Sequence, residues 1–169
     1  MQTAVQTSPL SSASPRNSKH VPAGSGKHVW FLDNLITVKL DPAEDAPFAV
    51  VENAMPAGSH TPFHQHENED EAFYVLEGSL RFYFADGHTI KATCGDYIHV
   101  PRGVAHGFRT LTPTRVLVLT GACGFIEMLQ EAGDAAPSAT LPSNVHPDIA
   151  RLEAACERHR ITLLGPLPE

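Results

Sequence analysis

The chain has 169 residues, the size of a single domain. It carries 12 Lys and Arg against 19 Asp and Glu, a net charge of −7, which excludes a clustered phosphate-binding surface and with it nucleic acid as a partner. Hydrophobic residues make up 42 %, enough for a packed core. No window approaches the ~18 consecutive apolar residues of a membrane helix, and the N-terminus lacks the basic-then-apolar layout of a secretion signal.

Residues 1–26 are rich in Ser, Thr, Ala, Pro and Gly and read as a flexible N-terminal arm, too poor in bulky apolar residues to offset the entropy of ordering it. From Lys27 the texture changes. Val29–Leu32 and Leu35–Leu40 read as strands around an Asp33-Asn34 turn, and Phe48–Met55 as another, broken by Pro56-Ala-Gly58. Glu71–Leu76 and Leu80–Phe84 follow. Asp86-Gly87 is a hairpin signal, with Thr89–Thr93 as the returning strand. Tyr97–Val100, His106–Thr110 and Arg115–Thr120 are further strands, and the short apolar run Phe125–Leu129 closes the series. No helical period is apparent over residues 28–129. About nine short strands at roughly ten-residue spacing predict an all-β antiparallel sandwich or barrel.

Residues 130–147 read as a surface loop. Pro147–His159 reads as a C-terminal helix, with Pro147 in its first turn, Asp148 at the positive end of the dipole and Arg158-His159-Arg160 at the negative end. Ile149, Leu152, Ala155, Cys156 and His159 form one stripe, which packs on the barrel or caps it as a lid. The expected organisation is an arm over 1–26, a barrel over 27–129, and a loop with a helix over 130–169. Cys94, Cys123 and Cys156 are odd in number, far apart and without a C-x-x-C pair, so reduced packing thiols in a cytoplasmic protein are expected.

Histidine is the outlier: ten residues, three of them (His60, His64 and His66) within seven positions. On an extended segment His64 and His66 project from one face, because side chains alternate with period two. Glu71 follows across a short acidic turn, and a second segment, Pro101-Arg-Gly103-Val-Ala-His106, brings another imidazole. Three imidazoles and one carboxylate make a mixed nitrogen–oxygen set that suits Fe, Ni, Co, Mn, Cu or Zn. Spacing alone leaves each histidine equally open to a packed or solvated reading. His60, His88, His99, His146 and His159 are read that way, and Glu67, Glu69 and Asp70 are read as solvated turn residues.

These segments resemble the two motifs of the cupin family. Gly58, His64, His66, Glu71 and Gly78 fill every position of the first. Gly95, Pro101, Gly103 and His106 fill four of five in the second, with Thr110 where an Asn is usual. The resemblance implies a small jelly-roll β-barrel with a divalent transition metal inside it, held by His64, His66, Glu71 and His106. Four protein ligands leave room for substrate on a five- or six-coordinate ion, and Glu71 is then a candidate general base as well as a ligand. Strand parity places Phe73 inward with Glu71 and Phe108 inward with His106, while Phe63 borders the histidine pair. Such walls suit a flat aromatic substrate.

Lys27–Lys39, Thr61–Gly78 and Ile161–Pro168 further resemble bacterial single-cupin proteins similar to quercetin 2,3-dioxygenase. That likeness implies a dioxygenase in which the 3-hydroxy oxygen of a flavonol binds the metal, the glutamate takes the hydroxyl proton, and dioxygen opens the ring with loss of carbon monoxide. The expectation is a cytoplasmic, homodimeric enzyme taking dioxygen and a small aromatic substrate. The same metal site would also serve a non-oxidative cyclase, isomerase or decarboxylase, or a cupin that only binds a ligand.

Overall fold

The computed structural model describes residues 18–121, 124–144 and 146–168. The first 17 residues of the expected arm and Cys123 lie outside that set. Strands begin where the apolar and β-branched residues do. β1 (Lys27–Phe31) and β2 (Asn34–Leu40) form a hairpin, and β3 (Phe48–Met55) alternates strictly, with Ala49, Val51, Asn53 and Met55 buried and the residues between them more exposed. Then come β4 (Phe63–His66), β5 (Glu71–Glu77), β6 (Ser79–Phe84), β7 (Thr89–Thr93), β8 (Tyr97–Val100), β9 (His106–Thr110) and β10 (Thr114–Gly121). The β6–β7 hairpin turns at Asp86-Gly87, where Gly87 has φ 84° and Asp86 Oδ1 accepts the His88 amide.

The strands pair antiparallel in two sheets. One runs β1-β2-β3-β10-β5-β8 and the other β4-β9-β6-β7, each extended at its free edge by a C-terminal strand described below. Between them lies a core centred on Val75, Leu80, Phe82 and Val116, none of which reaches solvent. The chain is the expected antiparallel jelly roll. Gly78, between β5 and β6, shows why glycine is needed at one of its turns. Its φ is 78°, and a Cβ there would stand 2.2 Å from the Pro113 carbonyl oxygen.

The C-terminal third departs from the sequence reading. Phe125–Leu129, expected as a strand, is the first part of helix α1 (Phe125–Ala132). Ile126 and Leu129, three apart, are both buried, a helical contact that a run this short does not advertise. Residues 134–135, expected in a loop, form β11 (Asp134–Ala135) beside β1. Helix α2 (Ile149–Arg158) starts two residues later than expected. Pro147 lies outside it, and Asp148 is the N-cap, accepting the Arg151 amide at 3.0 Å. Leu152, Ala155 and Cys156 are its buried stripe, while Ile149 is 55 % exposed. The chain ends in β12 (Ile161–Gly165), which pairs with β4 and so joins the strand that carries His64 and His66. Arg151 ties the two helices together. Its guanidinium donates to the Glu131 and Gly133 carbonyls at the end of α1 and to Asp134 Oδ1. Among the described residues no helix is long and apolar enough to cross a membrane.

Candidate metal centre

Period-two alternation on β4 turns His64 and His66 to the same face, and the register of β4 with β9 sets His64 directly opposite His106. Three imidazoles therefore share the inner face of the smaller sheet. Glu71, first residue of β5, comes from the larger sheet, where it stands between Thr120 and Val100. The His66–Glu71 loop crosses from one sheet to the other and is held at both ends. His66 accepts the Gly103 amide through its carbonyl at 2.7 Å, and Asp70 accepts the Arg102 amide at 3.1 Å while meeting His99 Nε2 at 2.9 Å. The Pro101–Gly103 turn, which presents His106, is thereby tied to the loop that presents Glu71.

The donor atoms of His64, His66 and Glu71 all lie within 4.8 Å of one another, close enough to hold one metal ion. Glu71 Oε2 is 3.3 Å from His66 Nε2 and 2.9 Å from His106 Nε2. Donors ~2.1 Å from a shared ion stand ~3.0 Å apart at right angles and ~4.2 Å apart at opposite vertices, so both distances suit adjacent positions around one ion. His106 belongs to the cluster by ring position as well, its centroid 4.6 Å from that of His64.

The other ring nitrogens are already engaged. His64 Nδ1 donates to the Pro62 carbonyl at 2.9 Å and His106 Nδ1 to the Val104 carbonyl at 3.0 Å. A carbonyl only accepts, so each ring carries its proton on Nδ1 and offers the Nε2 lone pair to the centre. His66 Nδ1 stands 3.4 Å from Glu69 Oε1. Glu71 Oε2 and His106 Nε2, despite their 2.9 Å separation, lack the angles of a hydrogen bond, and both are buried without a partner among the described residues. Two orphaned acceptors converging on one point, in a set of three nitrogens and a carboxylate, fit a divalent transition metal.

The electrostatics of the four side chains agree. Burial, seconded by His106, pushes His64 down to about 4, so its ring is neutral and ready to ligate at neutral pH. Burial disfavours charge on Glu71, yet the surrounding histidines outweigh it and hold the carboxyl down at about 2. His66 also resists charge through burial, but Glu71 and Glu69 prevail and raise its pKa.

The cluster lines an apolar cavity. Phe73 and Phe108 both line it, their rings 6.0 Å apart, and the Phe73 ring lies 6.4 Å from that of His106. Phe63 does not. It precedes His64 on β4 and is not among the lining residues. His60 stands off the cluster, in a bridge to Arg109. Of the turn acids, Glu67 and Asp70 are exposed, but Glu69 is 4 % exposed and lies against His66. Its place in an acidic run hid it. Leu152 and Cys156, from the stripe expected to pack on the barrel or cap it, line the same cavity from α2; Phe125 and Met128 of α1, which sequence reasoning missed, line it beside them, and the Phe125 ring is 5.9 Å from His66. Thr110, where the second motif usually has Asn, is buried and donates to the Pro56 carbonyl at 2.6 Å, closing the far end of β9 rather than touching the cluster.

Fold and site together define an antiparallel double-sheet barrel with three imidazoles and a carboxylate gathered inside it. Residues 51–120 match the model of the cupin domain family, and the chain is a member of the cupin superfamily. A stretch of 65 residues is 38 % identical to quercetin 2,3-dioxygenase of Bacillus subtilis (strain 168), covering 38 % of this chain and 19 % of that protein. Another, of 52 residues, is 36 % identical to the uncharacterized protein YdbB of the same organism, covering 31 % of this chain and 46 % of that one. Each match thus spans less than half of the relative's length. Among solved structures, the polyketide cyclase RemF from Streptomyces resistomycificus superposes with a TM-score of 0.55 at 29 % identity, over 63 % of this chain and 80 % of that one.

Proposed function

We propose that this protein is a metal-dependent dioxygenase that cleaves a flavonol or a similar enol-containing aromatic, with His64, His66, Glu71 and His106 as the metal ligands. The observation that carries the reading is the pair of unpartnered buried acceptors, Glu71 Oε2 and His106 Nε2, facing an apolar cavity walled by Phe73 and Phe108. A divalent transition ion held there supplies Lewis acidity toward an enol oxygen and, when redox-active, electron transfer to dioxygen. Glu71 is ionised throughout the neutral range and accepts the enol proton at a carboxylate oxygen. Phe73 and Phe108 hold the flat ring edge-on, and the apolar walls keep bulk water from the reacting oxygen.

The cavity holds about 70 Å³, well below the roughly 300–1,000 Å³ of ligand sites in general. A wider groove of about 560 Å³ shares Pro62, Leu152 and Leu163 with it. Entry of a flat aromatic therefore displaces Leu152 of α2 and Leu163 of β12 from the partition between the two spaces. Cytoplasmic residence and a homodimeric state belong to the same proposal.

A second reading is favoured by one observation: the match to the cyclase RemF covers most of that protein, whereas the match to the dioxygenase covers a fifth of it. In that reading the metal site and Glu71 keep their roles, and the reaction is a non-oxidative cyclisation or isomerisation. The two separate by experiment. Protein loaded in turn with Ni, Co, Mn, Fe, Cu and Zn is given quercetin in air, and oxygen uptake with carbon monoxide release supports the dioxygenase. Metal-loaded protein that consumes no oxygen, yet converts an enolic polyketide under strict anaerobiosis, supports the second reading and overturns the first.

A further inference from the structure

Four buried side-chain atoms lack a hydrogen-bond partner among the described residues: Glu71 Oε2, His106 Nε2, Glu69 Oε2 and Asn53 Oδ1. The first three lie in the donor cluster or against it. Asn53 does not. It is 7 % exposed on β3 and interrupts the inward row Ala49, Val51, Asn53, Met55, in which every other member is apolar. A leucine of similar shape would fill the place without burying an unsatisfied amide. Asn53 also lines the cavity that contains the donor cluster. A buried acceptor left open toward a cavity calls for a donor from outside the chain.

Register gives its distance from the cluster. On β10, Thr120 stands opposite Glu71, Val118 opposite Phe73 and Val116 opposite Val75, and Val116 faces Asn53 across its other edge. The Glu71 and Asn53 rows are thus four residues apart along the strands, ~13 Å at ~3.3 Å per residue. Phe73 and Phe108 occupy the stretch between. Asn34 shares the far end. It precedes Ile36, the β2 partner of Asn53, by one alternation, is 2 % exposed, and accepts from Ser59 Oγ at 2.8 Å. The cavity therefore has three zones in line: the imidazole–carboxylate cluster, an aromatic middle, and an amide acceptor.

We propose that Asn53 is the distal anchor of the ligand site and selects a hydroxylated aromatic of two or three rings, whose enol oxygen lies at the histidine–glutamate end and whose far hydroxyl donates to Asn53 Oδ1. This rests on the metal-site reading above and adds a substrate class to it. An aromatic without the far hydroxyl leaves the amide orphaned and binds more weakly.

The test uses two probes of one skeleton, 3-hydroxyflavone and its polyhydroxylated counterpart kaempferol. Each is titrated anaerobically into the full chain loaded with Zn, after metal content has been measured. Kaempferol binds the wild type about 5- to 50-fold more tightly than 3-hydroxyflavone, and Asn53→Leu erases most of that ratio, chiefly by weakening kaempferol, while metal content stays the same. The ligand-free Asn53→Leu protein melts higher than wild type, by ~2–8 °C, because the orphaned amide is gone. Asn53→Val, which suits a strand, repeats both measurements should leucine strain the site. Equal affinities in the wild type, a preference that survives Asn53→Leu, or no binding of either probe by fully metal-loaded protein overturns the assignment of Asn53 and leaves the metal site standing. A chain that takes up no metal overturns the metal reading and this assignment with it.

Discussion

Replacing Glu69 with Gln probes the part of the centre that sequence reading did not find. The substitution keeps the shape and one acceptor beside His66 Nδ1, and removes the buried negative charge 3.4 Å away. A carboxylate behind a ligating imidazole fixes its orientation and strengthens its lone pair, and losing such a partner costs about 10- to 100-fold in metal affinity. That corresponds to about 1.4–2.7 kcal/mol. A second effect runs the other way. Glu69 helps to raise the pKa of His66, and a ligand imidazole must shed its proton to bind metal. In the wild type, metal competes with that proton below a pKa lying above the ordinary 6.5. The competition costs a factor of ten in affinity per pH unit for this one proton. In Glu69→Gln it begins at lower pH. His64, at about 4, adds a second proton only near that pH in either protein. The variant-to-wild-type ratio of dissociation constants is therefore largest near pH 8 and narrows toward pH 5. Competition against a chromogenic chelator across that range measures it. A ratio within twofold of unity at pH 8, or one that widens as the pH falls, refutes the role given to Glu69.

Glu71→Gln should lower kcat by about 10²- to 10⁴-fold, because the amide cannot take the enol proton; turnover is scored per bound metal, and a metal-loaded variant working at the wild-type rate counts against Glu71 as the base. Gly78→Ala forces a Cβ to 2.2 Å from the Pro113 oxygen at a φ of 78°. A thermal melt should show a loss of about 1–3 kcal/mol, and an unchanged melting temperature would contradict the turn geometry. Arg151→Ala removes the donors to the Glu131 and Gly133 carbonyls. Hydrogen exchange should quicken at the end of α1 while the β5, β6 and β10 amides keep their protection, and uniform loosening would show that Arg151 supports the whole barrel rather than the helix pair.

The central strands were readable because both local signals agreed: β-branched and aromatic residues in period two, with Gly, Asp and Pro between them. Phe48–Met55, Thr89–Thr93, Tyr97–Val100 and His106–Thr110 run in the structure over the residues the pattern indicates. Phe125–Leu129 misled because a five-residue run with four apolar members around Glu127 fits either period, and Gly124, at φ 118° and without a side-chain cap, announces no helix start. β12 is held by a partner almost a hundred residues earlier, and nothing local in Ile161–Gly165 points to it. Spacing drew attention to the histidines and Glu71, but only their match to the two cupin motifs singled out His64, His66, Glu71 and His106. Glu69 did not, because a carboxylate within Glu67–Glu71 looks solvated until the loop is seen to fold it under His66. Asn53 was hidden for the opposite reason. It occupies an inward position of a well-formed strand, and only its missing partner sets it apart.

The most direct measurement is anomalous diffraction from crystals of the full chain grown with one equivalent of Ni or Co, recorded at the absorption edge of that metal. A single peak is expected inside the barrel, with Nε2 of His64, His66 and His106 and a carboxylate oxygen of Glu71 each within ~2.0–2.3 Å of it. A peak elsewhere, no peak in protein that has been offered the metal, or a His106 ring turned away from an occupied site would contradict it.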